Sequence, residues 1–321
     1  MIEAKNLTRY FGPKLAVDHL SFNVDQGEVL GFLGPNAAGK STTMRMITGF
    51  LPPSSGTALI GGDDITTASL AARKNIGYLP ENAPAYPEMS VLGFLDFIAE
   101  IRGFAGREKI RRVEETLERC FLSEVRRQPI NTLSKGFKQR VCFAQSILHD
   151  PAYLIMDEPT DGLDPNQKHE VRSMIRDMAK RKTIVLSTHI LEEVDAVCTR
   201  AIIISEGKIV ADDTPERLKA RSSLHGAVCF TVEHPEEESG QDTINGLEQL
   251  PGIRHAELLS PVNGALMIRA FPQDTDAPPV DKIIRHFLEK GRPVKSLVVE
   301  EGDLSEVFRT ITTEKSGDTQ T

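Results

Sequence analysis

Short apolar runs alternate with longer amphipathic segments from about residue 28 to residue 205. The runs at residues 28–33, 152–156 and 183–187 are almost wholly apolar, as expected for strands that are buried on both faces. The segments between the strands have helical spacing, so the pattern predicts a parallel sheet that is covered by helices. Residues 1–25 contain alternating β-like segments, which predict an antiparallel β layer at the start of the chain.

The strand pattern stops between residues 88 and 150. Residues 91–98 and 111–121 have helical spacing instead. This pattern predicts a helical insertion at about residues 82–150, inside the α/β domain.

The pattern changes again after about residue 221, where half-exposed strands alternate with two helices. Their order is β-α-β-β-α-β, which is typical of the ferredoxin-like arrangement. We therefore predict two domains, at residues 1–221 and 222–321, of which the second is a small α+β domain. Its strands are expected at residues 226–233, 254–259, 266–271 and 294–299, and its helices at residues 243–249 and 280–290.

The charge is unevenly distributed along the chain. The 321 residues carry a formal net charge of −8 and are 40% hydrophobic, which are ordinary values for a globular protein. Residues 1–231 hold 29 basic and 29 acidic side chains, whereas residues 232–321 hold 9 and 17, which supplies the whole excess. Without a basic surplus, no nucleic-acid partner is expected.

Cysteine spacing and hydropathy point to a cytosolic protein. The cysteines (Cys120, Cys142, Cys198 and Cys229) lack the paired spacing of zinc sites, so reduced thiols are expected. No stretch approaches the roughly 18 apolar residues that cross a bilayer, and the N-terminus lacks a secretion signal. The chain is therefore expected to be soluble and to reach a membrane only through a partner.

Residues 34–41 match the phosphate-binding pattern G-x-x-x-x-G-K-[ST]. They follow the apolar run at residues 28–33 and lead into a helical stretch at residues 41–47. Backbone N–H groups of such a loop point at one place, where the helix dipole also favours anions. Lys40 is then expected to reach the β- and γ-phosphates of a nucleotide, and the Ser41 hydroxyl to bind Mg²⁺.

Two acids, Asp157 and Glu158, end the apolar run at residues 153–156. Asp157 is placed to hold Mg²⁺ through its water shell, and Glu158 to orient and deprotonate an attacking water. Taken alone, this motif could also be a strand that merely ends in surface acids.

Three further segments complete an ordered set of motifs. Residues 133–140 are Leu-Ser-Lys-Gly-Phe-Lys-Gln-Arg, residues 160–164 are Thr-Asp-Gly-Leu-Asp, and His189 ends a predicted strand. With the phosphate loop and the acidic strand, this order resembles the nucleotide-binding domains of ABC transporters over roughly residues 2–220. The resemblance implies an α/β P-loop NTPase fold, with a parallel sheet, an antiparallel β layer and a helical insertion.

In that family two domains face head to tail and bury two ATP molecules between them. The resemblance therefore implies ATP and Mg²⁺ as cofactors and a homodimer or a paired ATPase subunit as the working form. Glu158, His189 and Lys40 become the candidate catalytic residues, and Asp164 the acid that links the two sites. The candidate ATP-binding residues are Phe11, Gly34, Pro35, Asn36, Ala37, Ala38, Gly39, Lys40, Ser41 and Thr42 of one copy and Ser134 and Gly136 of the other.

The resemblance also implies an aromatic residue that stacks on adenine and a set of metal ligands. Phe11 aligns with the aromatic residue that stacks on adenine, and Tyr10 is a close rival. The candidate metal-binding residues are Ser41, Asp157 and Glu81.

Several positions depart from the commonest family pattern. Ala37 replaces a frequent glycine; alanine at φ > 0 would cost on the order of 1 kcal/mol, so an ordinary φ is expected there. Lys135 and Phe137 stand where many relatives have Gly and Gln, and neither change is expected to abolish binding. Glu81 replaces the family's glutamine. Its carboxylate still offers Mg²⁺ an oxygen but adds negative charge near the phosphates.

Residues 78–81 (Tyr-Leu-Pro-Glu) and 133–140 resemble the branch that serves ABC-2 type permeases, including gliding-motility-type ATPases. Residues 304–312 are similar to the helix that often closes such chains. This implies an exporter ATPase that drives a permease on a separate chain, in the cytoplasm on the inner face of the cell membrane. The permease is expected to dock around Glu81 and residues 82–130, where Tyr86, Phe94 and Phe97 are candidates.

A different class stays open, namely a soluble ABC ATPase that acts on nucleic acid or ribosomes. Such relatives usually carry two ATPase domains or long coiled-coil or basic insertions, which this sequence lacks. The C-terminal domain could also be a ligand-sensing or dimerising module that regulates the ATPase.

Overall fold

The structure of the chain, a computed structural model, describes residues 1–81, 85–233, 239–262 and 265–314. It divides into two compact units, Met1–Pro215 and Glu216–Thr321. The division lies a few residues before the change of pattern at residue 221 and falls at the start of the short helix Pro215–Lys219. Within the described residues, none of the helices is both long enough and apolar enough to span a bilayer.

The first unit contains both a parallel and an antiparallel sheet. Its elements in chain order are β1 (Ile2–Phe11), β2 (Lys14–Val24), β3 (Val29–Leu33), α1 (Lys40–Ile47), β4 (Ser55–Ile60), β5 (Asp63–Asp64), α2 (Ser69–Lys74), β6 (Ile76–Leu79), α3 (Val91–Ile101), α4 (Gly106–Arg119), α5 (Lys135–Ile147), β7 (Tyr153–Asp157), α6 (Pro165–Ala179), β8 (Thr183–Thr188), α7 (Leu191–Val197), β9 (Arg200–Ser205) and β10 (Lys208–Asp213), followed by α8 (Pro215–Lys219).

The larger sheet has the strand order β10-β9-β3-β8-β7-β6. Strands β9, β3, β8, β7 and β6 run parallel, so their carboxyl ends lie along one edge of the sheet. In open sheets of this kind ligands bind just outside that edge. The phosphate loop follows β3, Asp157 and Glu158 end β7, and His189 follows β8, so the topology brings these segments together.

The smaller sheet, β2-β1-β4-β5, is antiparallel and confirms the predicted layer at the start of the chain. Both sheets bury apolar side chains in one shared core. Phe22 of β2 and Phe32 of β3 meet edge to face there, with ring centroids 4.9 Å apart. Strand β3 is buried at every position, as its unbroken apolar run predicts.

The helical insertion is present as α3, α4 and α5. Ser90 begins α3 by accepting a hydrogen bond from the Gly93 N–H, and Ser134 begins α5 by accepting one from the Phe137 N–H. Both are ordinary N-caps, in which a hydroxyl satisfies an N–H that has no partner in the helix. The second of these caps belongs to the Leu-Ser-Lys-Gly segment.

The second unit has the predicted ferredoxin-like order. Its elements are β11 (Val228–Glu233), α9 (Gly240–Glu248), β12 (Ile253–Val262), β13 (Ala265–Pro272), α10 (Val280–Glu289), β14 (Val294–Val299) and α11 (Leu304–Glu314). The antiparallel sheet has the order β12-β13-β11-β14. Its core includes Phe230 and Phe287, whose ring centroids are 5.5 Å apart.

Candidate functional site

The phosphate loop passes directly from β3 to α1. The Lys40 side chain is buried and its Nζ atom donates to the carbonyl oxygens of Gly34 at 2.7 Å and Pro35 at 3.2 Å. Lys40 is therefore folded back across its own loop. Gly34 is required by close packing, because a Cβ atom there would lie 2.5 Å from the Ile204 carbonyl oxygen.

Ala37 contradicts the expectation of an ordinary backbone angle. Its φ is 65°, in the left-handed region where a Cβ atom crowds the following carbonyl. The sequence rule failed because the loop is shaped by its closure over the helix, including the bonds that Lys40 makes to Gly34 and Pro35. The loop therefore holds an alanine in a conformation that suits glycine.

The Lys40 ammonium faces carboxylates at the edge of the sheet. Burial lowers the pKa of Lys40, while Glu158, Asp157 and Glu81 favour its charged form. An ammonium at this position is available to a phosphate group, which would supply the opposite charge that burial demands.

The Asp157 side chain is fully buried at the end of β7. Its Oδ1 atom accepts hydrogen bonds from the hydroxyls of Ser41, at 3.1 Å, and Ser187. Its Oδ2 atom is buried and has no hydrogen-bond partner among the described residues. A buried carboxylate oxygen without a partner, beside a serine hydroxyl, fits a hard cation such as Mg²⁺.

The protein alone does not complete a metal cage at this point. Among the described residues, no three His, Cys, Asp or Glu side chains gather as a ligand set. Mg²⁺ commonly takes one or two protein oxygens and completes its shell with water and phosphate oxygens, which agrees with the sparse donor set of Ser41 and Asp157. Glu81 follows the end of β6, is exposed and lines the same cavity.

Glu158 has an unusual backbone and a specific side-chain partner. Its φ is 50°, and its N–H donates to the Ser187 carbonyl and hydroxyl oxygens, each at 3.2 Å. Its Oε2 atom lies 2.9 Å from Nδ1 of His189. Burial raises the pKa of Glu158, and the contact with His189 opposes that rise. A carboxylate with a raised pKa in a cleft is suited to accepting a proton.

Lys40, Ser41, Glu81 and Glu158 line one cavity of about 520 Å³. Asp157 and His189 are not among its described lining residues, but they contact Ser41 and Glu158, which are. Phe11 lines it and Tyr10 does not, although both rings are about half exposed. The structure thus favours Phe11 over its rival as the aromatic wall. The lining residues are Phe11, Lys14, Ala16, Asn36, Ala37, Ala38, Gly39, Lys40, Ser41, Thr42, Glu81 and Glu158.

The Leu-Ser-Lys-Gly segment lies elsewhere. Ser134 and Gly136 are not among the described residues that line the cavity. Gly136, in the first turn of α5, lies beside Gln167, whose Oε1 atom would lie 2.4 Å from a Cβ at that glycine. Lys135 reaches Asp161, with Nζ 2.7 Å from Oδ2. Two groups of predicted ATP-binding residues are therefore separate within one copy of the chain.

Asp164 is an N-cap in this structure. Its side chain accepts a hydrogen bond from the Gln167 N–H at 2.9 Å, and the Gln167 side-chain oxygen accepts one from the Asp164 N–H. This reciprocal pair is a capping box at the start of α6.

The sequence pattern predicts no role for several polar residues that support the site. Ser187 and Thr188 end an apolar strand, and that position was a usable signal. Thr160 and Glu193 gave none, because an acid on an amphipathic helix ordinarily faces solvent. In the structure Glu193 is buried. Pro35 contacts Lys40 through its carbonyl, while Thr42 lies on the cavity wall.

Comparisons with known proteins identify the family. The family model described as ABC transporter matches residues 17–161. The chain is 38% identical over 224 residues to the probable multidrug ABC transporter ATP-binding protein YbhF of Escherichia coli, covering 70% of this chain but 39% of that longer protein. It is 32% identical over 255 residues to the Nod factor export ATP-binding protein I of Cupriavidus metallidurans, covering 79% and 84%.

A solved structure agrees with these relatives. An ATP binding subunit of an ABC transporter superimposes with a TM-score of 0.64 and 30% sequence identity, over 69% of this chain and 92% of that one. The family model spans the phosphate loop and the two acids at the end of β7. The chain belongs to the family of ABC transporter ATP-binding proteins.

Proposed function

We propose that this chain is the ATP-hydrolysing subunit of an ABC transporter and that it drives a permease on a separate chain. The observation that carries the proposal is the meeting of Lys40, Asp157, Glu158 and His189 at the carboxyl edge of one parallel sheet. That meeting supplies a phosphate ligand, a metal ligand, a base and a partner for the base at the same edge of the sheet, where Lys40 and Glu158 line the cavity.

ATP binding is assigned to the loop and its surroundings. Backbone N–H groups of residues 34–41 surround the phosphates, Lys40 turns from its loop carbonyls towards the β- and γ-phosphates, and Phe11 stacks on the adenine. Ser41 and Asp157 would hold Mg²⁺, which would supply positive charge to the phosphates when bound. Glu81 lies on the cavity wall and contributes a further oxygen to this region.

Hydrolysis is assigned to Glu158 and His189. Glu158 accepts a proton from the attacking water as the water oxygen bonds to the γ-phosphorus and the bond to ADP breaks. His189, 2.9 Å from Glu158, orients the carboxylate and the water. Most of the rate enhancement comes from holding these groups in place and from positive charge at the transferring phosphate.

A second copy completes the site in this proposal. Ser134 and Gly136 do not line the cavity of their own copy, so they are free to contact ATP that is bound to a partner. The N–H groups that begin α5 suit a γ-phosphate. Asp164, which caps α6 in this structure, is assigned a contact between the two copies.

Transport is assigned from the relatives. Their names include multidrug transport and Nod factor export, which favours an exporter and gives no support to action on nucleic acid or ribosomes. Tyr86 is 55% exposed and packs its ring on Phe97, with centroids 5.5 Å apart, so it suits a docking surface for the permease. Phe94 is buried and belongs to the core. Residues 82–84 of the expected surface lie outside the described residues.

The test removes the proposed base. Glu158→Gln is expected to bind ATP, to accumulate as an ATP-bound dimer on size exclusion, and to lose hydrolysis by several hundred-fold or more. Glu192→Gln, on an exposed face of α7, makes the same change of charge as a control and should hydrolyse ATP normally. Undiminished ATPase activity in Glu158→Gln would overturn the assignment, and co-purification with RNA instead of a membrane protein would overturn the transport role.

A further inference from the structure

One more carboxylate lies buried behind the site. Glu193, on α7, is 2% exposed, whereas its neighbour Glu192 is exposed. The Thr188 hydroxyl donates to Oε2 of Glu193 at 2.9 Å, and the Thr160 hydroxyl donates to Oε1. Each carboxylate oxygen therefore holds a different threonine.

The two threonines belong to the two segments that carry the proposed hydrolytic groups. Thr188 immediately precedes His189, and its hydroxyl oxygen also accepts the Ile190 N–H at 3.0 Å. Thr160 lies two residues after Glu158, in the segment that follows β7. One buried side chain thus fastens both segments to α7, at the place where their functional side chains come within 2.9 Å of each other.

The backbone conformation of Glu158 is one that needs surrounding contacts such as these. Its φ of 50° is unfavourable for a residue with a side chain, and such a conformation persists only when surrounding contacts hold it. The chain leaves this residue through Pro159 and reaches Thr160, which Glu193 anchors. Loss of that anchor would leave the Glu158 backbone held by its own hydrogen bonds to Ser187 and would allow the carboxylate to shift relative to His189.

The chemistry of Glu193 is costly unless it has such a role. A carboxylate that is removed from water loses hydration, and the nearest described cation, Arg172, lies 3.9 Å away with Nη2 facing Oε1. Burial raises the pKa of Glu193, against the hydrogen bond from Thr188 and the charge of Arg172. An apolar residue would avoid this cost but would leave both hydroxyl protons without the carboxylate that accepts them.

We infer that Glu193 is a positioning residue for ATP hydrolysis, which ties the segments of Glu158 and His189 together through Thr160 and Thr188. The inference rests on the proposed function. Glu193 does not line the cavity, so its loss should change the rate of hydrolysis and leave ATP binding by the phosphate loop intact.

The first experiment compares Glu193→Ala with Glu193→Gln in the purified full-length chain. Alanine removes both bonds, and kcat should fall on the order of tenfold or more while KM for ATP changes less than about twofold. Glutamine should restore most of kcat, because its amide oxygen accepts from one hydroxyl and its N–H donates to the other. Glu192→Gln is the matched control and should behave as wild type.

The second experiment removes the two hydrogen bonds to Glu193 one at a time. The inference therefore stays testable if Glu193→Ala folds poorly. Thr160→Val and Thr188→Val preserve shape and remove one hydroxyl each, so each should lower kcat. In a Glu158→Gln background, Glu193→Ala should cause a much smaller further loss of rate than in wild type, since one of the two groups that it positions is already gone.

The outcomes separate the two ideas. If wild type hydrolyses ATP and Glu158→Gln stalls, but Glu193→Ala and both valine variants keep the wild-type kcat well below their melting temperatures, the positioning role is wrong and the proposed function stands. If kcat and KM change together in the threonine variants, Glu193 serves general structure instead. If Glu158→Gln itself remains active, the proposed function fails first.

Discussion

The Nδ1 atom of His189 lies 2.9 Å from the Oε2 atom of Glu158. The two residues end neighbouring strands, β8 and β7, whose Ser187 and Asp157 are paired in register. The contact therefore joins the ends of two strands across the edge of the sheet where the cavity opens. The contact also affects the pKa of Glu158. Burial raises this pKa, and the contact with His189 opposes the rise.

This contact predicts the pH dependence of hydrolysis. Burial raises the pKa of Glu158 above its ordinary value of 4.5, so the carboxylate is protonated at a higher pH than an exposed glutamate. Since only the deprotonated form accepts a proton from water, kcat should fall as pH decreases through that raised pKa. A pH profile of kcat at saturating ATP measures the position of this acidic limb.

The variant His189→Ala tests the direction in which His189 changes the pKa of Glu158. Removing the partner that lowers the Glu158 pKa should move the acidic limb further up in pH, apart from any loss of rate. Single-turnover hydrolysis at several pH values separates the two effects. A limb that moves down in pH in His189→Ala contradicts the assigned interaction.

Ala37→Gly should stabilise the protein. Alanine at a φ of 65° carries a steric cost that glycine lacks. Glycine also gains freedom in the unfolded chain, so the net increase in the free energy of unfolding should be at most about 1 kcal/mol. Denaturant unfolding measures it. Ala38→Gly is the matched control, because Ala38 is buried and has an ordinary φ, and that variant should lose stability.

The two alanine variants must therefore change stability in opposite directions. Equal losses in both would show that the left-handed angle at Ala37 carries no strain. ATP affinity should stay the same or increase slightly in Ala37→Gly, because the backbone N–H groups of the loop keep their positions.

Much of the fold was accessible from the sequence because hydrophobic spacing and motif order agree with each other. The apolar run before residue 34, the acids after residue 156 and the histidine after the next strand fix a parallel edge, and the structure has that edge. The ferredoxin-like order of the second unit follows from spacing alone. These features are local, because the hydrophobic spacing within each segment indicates whether it forms a helix or a strand.

The features that the sequence did not predict depend on tertiary contacts. Tyr10 and Phe11 could not be separated, because the register of β1 against β2 shifts between Arg9 and Tyr10 and such irregularities change which side chain faces which side. The Ala37 angle depends on loop closure. The burial of Glu193 depends on two threonines that lie 33 and 5 residues away in sequence. Spacing along one helix carries no information about such partners.

Lys135 should be of little importance for stability. Its ion pair with Asp161 spans 2.7 Å, but the side chains are 68% and 47% exposed. Exposed pairs typically contribute 0 to about 1 kcal/mol. Lys135→Ala should therefore change the free energy of unfolding by less than about 1 kcal/mol, and ATP binding by one copy should be unaffected since Lys135 does not line the cavity.

Lys182 supplies the contrast for that measurement. Its side chain is only 11% exposed, and Nζ donates to both the Asp150 carboxylate and the Pro151 carbonyl. Removing it leaves a buried carbonyl without its donor, so Lys182→Ala should cost clearly more than Lys135→Ala. Similar costs for the two variants, measured by urea unfolding, would count against this ranking by burial.

His149 should make the folded protein sensitive to acid. Its ring is partly buried, Nε2 lies 3.0 Å from the Ile76 carbonyl oxygen, and Nδ1 has no hydrogen-bond partner among the described residues. Burial, aided by the charge of Arg102, lowers the pKa of His149 from 6.5 to about 4. The folded state therefore binds this proton less readily than the unfolded state.

The sign of the effect follows from that difference. Above pH 6.5 the histidine is neutral in both states and imposes no penalty. Between pH 6.5 and about 4 the unfolded state takes up the proton first, so stability decreases as pH falls. His149→Gln cannot titrate and its amide can still donate to Ile76, so its stability should decline less over this range. Urea unfolding of the full-length chain at pH 7.5 and pH 5, followed by circular dichroism, gives the comparison.

A surface histidine separates this effect from general acid sensitivity. His169, on α6, is exposed, so His169→Gln should leave the pH dependence of stability as in wild type. The buried site predicts a selective gain at pH 5 for His149→Gln relative to both wild type and His169→Gln, because only that variant removes proton uptake that favours the unfolded chain. An unchanged difference between pH 7.5 and pH 5 in His149→Gln would contradict the prediction that proton uptake at this ring favours the unfolded chain.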